Sequence, residues 1–161
     1  MTRDIKTIKK DRLRYTKNKL SANLAYLGIL FDVLYFVSIY SSDVNNYYYT
    51  ITIGFSVLYN LVFLLAAFLS SEGVKNYKKG YAYLIIGVGA LQFVRMLGIP
   101  RMAHKAVTVM DGVEMTVMGN KQFTYVVACL AISGIACIIS GVVGAYKAHV
   151  LTKYMKENGI A

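Results

Sequence analysis

Four side chains able to carry charge or strong hydrogen bonds stand inside runs that are otherwise apolar: Asp32, Asn60, Gln92 and Arg95. A lone carboxylate or guanidinium at the centre of a lipid-embedded helix costs about 2.5–3.5 kcal/mol on insertion scales, so each is expected to seek the other. An Asp32–Arg95 pair, with Gln92 and Asn60 completing the hydrogen bonds, would neutralise both charges and satisfy the donors. Gln92 and Arg95 are three apart and share a helix face. Tyr35, one turn beyond Asp32, and Tyr59, beside Asn60, are placed to join. Two uses compete for such a layer. It is a structural clasp that fixes helix partners and register, or a site for a proton, ion or small polar ligand, because intramembrane ionisable groups often mark pathways. In a third arrangement Arg95 snorkels to the interface and Asp32 faces another protein.

The elements that must position these groups are long. Residues 21–40 are almost wholly apolar, and twenty residues at about 1.5 Å each match a hydrocarbon thickness of roughly 30 Å. Similar blocks fill residues 51–70, 81–98 and 123–145, the third stopped by Pro100, which cannot donate to a continuing helix. The chain has 161 residues, 57% of them hydrophobic, with a mean hydropathy of +0.48. Long apolar blocks at that composition exclude an ordinary soluble domain. The expected fold is an all-α membrane protein, a bundle of four transmembrane helices spanning residues 21–146. By depth, Asp32 lies roughly 18 Å from the inner boundary, Asn60 roughly 15 Å, Gln92 roughly 18 Å and Arg95 roughly 22 Å. One polar layer just beyond the midplane follows.

The net charge of +10 sits almost entirely between the blocks, which favours topology and lipid headgroups over nucleic acid. Fourteen basic residues fall in residues 1–20, in residues 71–80 and after residue 146; Arg95, Arg101, Lys105 and Lys121 are the remaining four. The positive-inside rule then puts both termini in the cytoplasm of a cell (plasma) membrane. Residues 1–20 hold eight of the cations, with Ile5, Ile8, Leu13 and Tyr15 among them. They form a short interfacial helix on anionic headgroups or a frayed tail that only fixes orientation. The first apolar block is too long for a signal-peptide core and is expected to stay as a signal anchor. Residues 147–161 are the cytoplasmic tail. Between the first two spans, Asp43 is the one charge, and Tyr47, Tyr48 and Tyr49 read as interface anchors or, alternatively, a carbohydrate-binding patch.

Outside the membrane the main feature is residues 105–118. Two β-rich runs flank Asp111 and Gly112, the pair that suits a type I′ turn, so a short extracytoplasmic hairpin is expected between the third and fourth helices. Ala106, Thr108, Met110, Val113, Met115 and Val117 would share one face, with Val107, Val109, Glu114 and Thr116 on the other. The Met-rich face would rest on the helix ends or on a partner.

Two further patterns concern packing. Ala25, Tyr26, Leu27, Leu34, Phe36 and Val37 recur 57 residues later as Ala82, Tyr83, Leu84, Leu91, Phe93 and Val94. Ser71, Tyr77 and Lys78 recur 69 residues later as Ser140, Tyr146 and Lys147. A parallel duplication of two-helix units would produce this. In the last span Cys129, Ser133, Cys137 and Gly141 form a small-residue ridge, extended by Gly134, Ser140 and Gly144, with Gly87 and Gly89 alike in the third span. Such ridges let backbones approach, within a bundle or between chains.

Catalytic signatures are not found. His104 and His149 fall on opposite sides of the bilayer, and Cys129 and Cys137, about 12 Å apart along one helix, cannot bond to each other within it. No phosphate-binding loop, nucleophile elbow or CxxC pair occurs. No enzyme activity, cofactor or metal is expected. Lys, Ile, Tyr and Asn usage fits an AT-rich bacterial genome. The expected function is a non-catalytic accessory or assembly subunit of a larger membrane complex, or a homo-oligomer, meeting other subunits through the ridge and the hairpin. The alternative is a small transporter or channel built on the polar layer. A third is a headgroup sensor using the basic N-terminal segment.

Overall fold

Within lipid no water is available to the backbone, so long apolar runs satisfy their N–H and C=O groups along the helix axis. The computed structural model describes residues 5–40, 47–110 and 113–160. They form α1 (Ile5–Arg12), α2 (Lys19–Tyr40), α3 (Tyr47–Lys75), α4 (Lys79–Leu97), α5 (Ile99–Lys105), β1 (Val107–Met110), β2 (Val113–Thr116) and α6 (Asn120–Glu157). Four stretches, Lys19–Tyr40, Gly54–Lys75, Lys79–Lys105 and Asn120–Glu157, are helical, long and apolar enough to cross a membrane. The chain has the build of a multi-pass membrane protein. Its outward faces carry Leu30, Val37, Phe55, Leu61, Leu65, Val94 and Val142, all exposed, while Asp32, Gln92, Ser21, Ser133 and Ser140 are wholly buried. That inversion of the soluble pattern is what a hydrocarbon solvent demands.

Helix α6 is the spine. It packs along both α2 and α4, while α3 lies on α2 and α4 and touches α6 little. Small residues are what permit this. A methyl group placed on Gly89 would sit 2.9 Å from the Gly134 carbonyl, and one on Gly134 would sit 3.0 Å from the Gly89 carbonyl. Those two backbones touch. A methyl on Gly141 would press to 2.6 Å from the Ala82 carbonyl. Cys129, Ser133, Cys137 and Gly141 are all buried inside the bundle. The ridge therefore does not serve as a surface for a second chain, because α2 and α4 already occupy it. Gly87 differs from Gly89: it lies exposed, and a methyl group placed on it would meet no neighbouring element within 4 Å, since two residues of helix turn it away from α6.

Serines join α2 to α6 at two levels. The Ser133 hydroxyl donates to the Gly28 carbonyl at 2.7 Å. Seven residues on, the Ser140 hydroxyl donates to the Ser21 carbonyl at 2.7 Å, and Ser21 Oγ donates back to the Ser140 carbonyl. Seven residues are about two helical turns, so an antiparallel pair meets itself again at that interval.

Several boundaries differ from the sequence expectation, each for a local reason. Helix α3 starts at Tyr47, so residues 47–50 of the expected loop already belong to a helix; residues 41–46, Asp43 among them, and the side chains of Tyr47, Tyr48 and Tyr49 lie outside the described residues. It runs on to Lys75 and ends where Tyr77 takes a left-handed φ of 57°. The Lys78 N–H then bonds the Gly73 carbonyl at 3.0 Å and the Tyr77 N–H the Val74 carbonyl at 3.2 Å, the pattern of a Schellman stop. Buried Asn18 fastens that end: its N–H bonds the Lys75 carbonyl at 2.9 Å, and its Oδ1 accepts from Lys147 Nζ at 3.0 Å. The third span ends at Gly98, the expected position, but Pro100 is not what stops it: Pro100 occupies the first turn of α5, where a missing N–H costs nothing. Helix α6 continues twelve residues beyond position 145, burying Ala148 and Tyr154. Four of the N-terminal cations, Lys6, Lys9, Lys10 and Arg12, ride on α1, which packs against α6 rather than trailing as a frayed tail.

Strands β1 and β2 pair antiparallel, Val107 with Thr116, Thr108 with Met115, Val109 with Glu114 and Met110 with Val113. Val107, Val109, Glu114 and Thr116 are exposed. The Asp111–Gly112 turn and the side chains of Thr108, Met110, Val113 and Met115 lie outside the described residues. Buried Met118 anchors the return to α6, its carbonyl 3.1 Å from His104 Nδ1, and the His104 ring stacks on Phe123 at 4.5 Å. The 57-residue correspondence holds in burial at Ala25 and Ala82. The 69-residue one diverges, since Tyr77 stops a helix whereas Tyr146 lies within one.

Candidate intramembrane polar site

Each member of the polar layer is placed by the face its helix turns inward. On α2 the buried stripe Ala25, Gly28, Asp32, Tyr35 and Ile39 advances by three and four residues, so Asp32 points into the bundle with no freedom to reach lipid. On α4 the buried stripe ends in Val88, Gly89, Gln92 and Arg95. The two stripes meet at the carboxylate. Asp32 Oδ1 accepts from Arg95 Nη1 at 2.9 Å and from Gln92 Nε2 at 2.8 Å. The same Gln92 nitrogen lies 3.4 Å from Ser133 Oγ, which carries the network to α6. This is a charge-assisted pair inside an apolar shell, where breaking one partner is far costlier than in water.

Two aromatic rings flank the cation. The guanidinium carbon stands 4.3 Å from the Tyr35 ring centre and 4.9 Å from that of Tyr59. A planar, weakly hydrated cation against two ring faces is held in orientation as well as in charge. Asp32, Gln92, Arg95, Tyr35 and Tyr59 are thus brought together. Asn60 is not part of the network: it is buried beside Tyr59, but its Oδ1 finds no hydrogen-bond partner among the described residues. A single step along α3 turns a side chain by about 100°, and it is Tyr59 that meets the guanidinium. Ser133 is the member that sequence reasoning placed elsewhere, in the packing ridge; its spacing signals close approach and carries no sign of a second role.

The layer is closed toward the α2 N-terminal side by a packed core of Ala25, Ala67, Val74, Ala82, Ile85 and Cys137. On its other flank it opens sideways. A groove of about 570 Å³ lies between α3 and α4, lined by Phe55, Leu58, Tyr59, Val62, Leu91, Val94 and Ile99, with Ser56 and Arg95 as polar members of its lining. Arg95 Nε and Nη2 and Ser56 Oγ are buried there with no hydrogen-bond partner among the described residues.

Comparison with protein-family models, curated proteins and solved structures gives no match to the chain. Its reading therefore rests on its own residues. Among the described residues no cluster of three metal-ligating side chains occurs. The arrangement at Asp32 and Arg95 can pair helices, exclude water from α2–α4 contacts and present spare N–H donors to the groove. A carboxylate with both neighbours donating to one oxygen has its second oxygen, Oδ2, free of any partner among the described residues.

Proposed function

We propose that the chain is a small non-catalytic protein of the cell membrane, both termini cytoplasmic, that serves as an accessory or assembly subunit of a larger membrane complex or as a homo-oligomer. The observation that carries this reading is the β1–β2 hairpin. A free two-stranded hairpin is marginal in water, and this one keeps Val107, Val109, Glu114 and Thr116 exposed. A third strand, or a partner's surface against that face, would supply the missing contacts. With the α6 ridge consumed internally, the hairpin, with Val107 and Val109 exposed beside Glu114 and Thr116, is a surface open to another subunit on the extracytoplasmic side. The test is mild-detergent purification from native membranes with mass measurement, on the native chain and on one whose residues 107–116 are replaced by a Gly-Ser linker. A heavier species that the replacement reduces to monomer supports the proposal; a strict monomer in both contradicts it. Cysteine labelling at residues added to each end would report the orientation.

A second reading, a small transporter or channel, draws on the unpartnered polar atoms around Arg95. The packed layer from Ala25 to Cys137 works against an open path. Proteoliposome flux that survives Asp32→Asn and Arg95→Gln unchanged would remove the site from consideration.

A further inference from the structure

We propose that the groove between α3 and α4 is a lipid site: it takes one acyl chain of a bilayer diacyl lipid and accepts that lipid's ester carbonyl at Arg95 and Ser56. The chemistry of the lining supports this. The walls are Phe55, Leu58, Val62, Leu91, Val94 and Ile99, apolar throughout, and the groove opens to the outer surface of the bundle. Two residues of the same lining, Ser56 and Arg95, hold donors with no acceptor. Ser56 is 3% exposed and Arg95 8%, and Ser56 Oγ, Arg95 Nε and Arg95 Nη2 have no hydrogen-bond partner among the described residues. Buried donors of this kind are normally satisfied, and three lining one apolar groove define where an acceptor belongs.

Charge decides which acceptor. The cation is already matched by Asp32 at 2.9 Å, and no other charged residue lines the groove. A phosphate or ionised carboxylate would add an unbalanced charge to a desolvated site. A carbonyl oxygen satisfies the donors and leaves the balance at zero. The site's use goes beyond the subunit role and rests only on the helices lying in a bilayer.

The test uses the full chain reconstituted in bilayers of equal parts diester phosphatidylcholine and its diether analogue with matched chains, which lacks both carbonyls. The protein is then extracted in mild detergent, and retained lipid is measured by native mass spectrometry. One hydrogen bond from a charged donor corresponds to about a tenfold preference, so the diester form is expected to be retained roughly tenfold over the diether. Val62→Trp and Val94→Trp fill the groove from exposed positions and should abolish retention, while Leu65→Trp, exposed on α3 away from the groove, should leave it intact. Ser56→Ala should lower the preference without losing the chain. Equal retention of both lipids, or diester retention untouched by Val94→Trp, overturns the proposal, as does a protein segment or an isoprenoid quinone found seated in the groove of the chain isolated from its own membranes. A chain that fails to insert into bilayers at all overturns the membrane reading itself and is seen separately, by flotation.

Discussion

Replacing Arg95 by Met leaves Asp32 with Gln92 as its sole donor in a fully buried position. Breaking one side of a buried pair costs about 3–5 kcal/mol, mostly from the charge left behind. Loss of the two tyrosine faces adds to this, at about 0.5–2 kcal/mol each for a desolvated cation. Asp32→Leu should cost about 3–5 kcal/mol for the mirror reason, a guanidinium left without its anion. The double variant removes both charges. What remains is one orphaned Gln92 amide and imperfect packing, about 2–3 kcal/mol. The double variant is therefore expected to lose roughly 3–8 kcal/mol less than the two single losses summed, the tyrosine contacts being lost from it and from Arg95→Met alike, and to be more stable than Arg95→Met alone. Reversible unfolding in mixed micelles by titrated SDS, followed by far-ultraviolet circular dichroism, measures all three. Losses that add within about 0.5 kcal/mol would show that the two residues do not act as a pair, and the reasoning would be refuted.

Further outcomes follow from the packing. Gly134→Leu and Gly141→Val should separate α6 from α4 and abolish cooperative unfolding, whereas Gly87→Ala, in open space, should stabilise slightly, by up to about 1 kcal/mol, in the same titration. Tyr77→Gly should raise stability by about 0.5–1 kcal/mol because the left-handed position no longer crowds a β-carbon; unchanged stability would remove strain from that stop. Ser133→Ala and Ser140→Ala should each cost about 0.6–1.7 kcal/mol, the range for hydrogen bonds between membrane helices. Helix α1, with Lys9, Lys10 and Arg12 in its last turn and Ile5 and Ile8 exposed, should bind anionic vesicles with an affinity that falls as salt rises; salt-insensitive binding would exclude a headgroup role.

Which parts of this were readable from residues alone follows from what spacing encodes. Four apolar blocks give four helices because lipid permits little else. The meeting of Asp32 with Gln92 and Arg95 was readable too, since matched depth and an i, i+3 spacing put two donors opposite one acceptor. Depth does not give rotation about the helix axis, which is why Asn60 and Tyr59 are both expected in the network and only Tyr59 enters it. The break after α4 is not the work of Pro100, since proline is at ease in a helix's first turn and Gly98 is where the chain bends from its path. Asn18 gives no local sign of its role, because its partners Lys75 and Lys147 are distant in the chain. Small-residue spacing foretold close approach for α6 and not its partners; only the packed bundle assigns it to α2 and α4 rather than to another subunit.

The account turns on one contact, Asp32 with Arg95 across two membrane helices. Solid-state NMR of the chain in liposomes, with ¹⁵N in the arginine guanidinium and ¹³C in the aspartate carboxyl, measures it directly. The account predicts a dipolar contact between Arg95 Nη1 and the Asp32 carboxyl corresponding to the 2.9 Å hydrogen bond, lost in Arg95→Met. A spectrum in which that pair shows no coupling, with Arg95 instead contacting lipid phosphate, would contradict it.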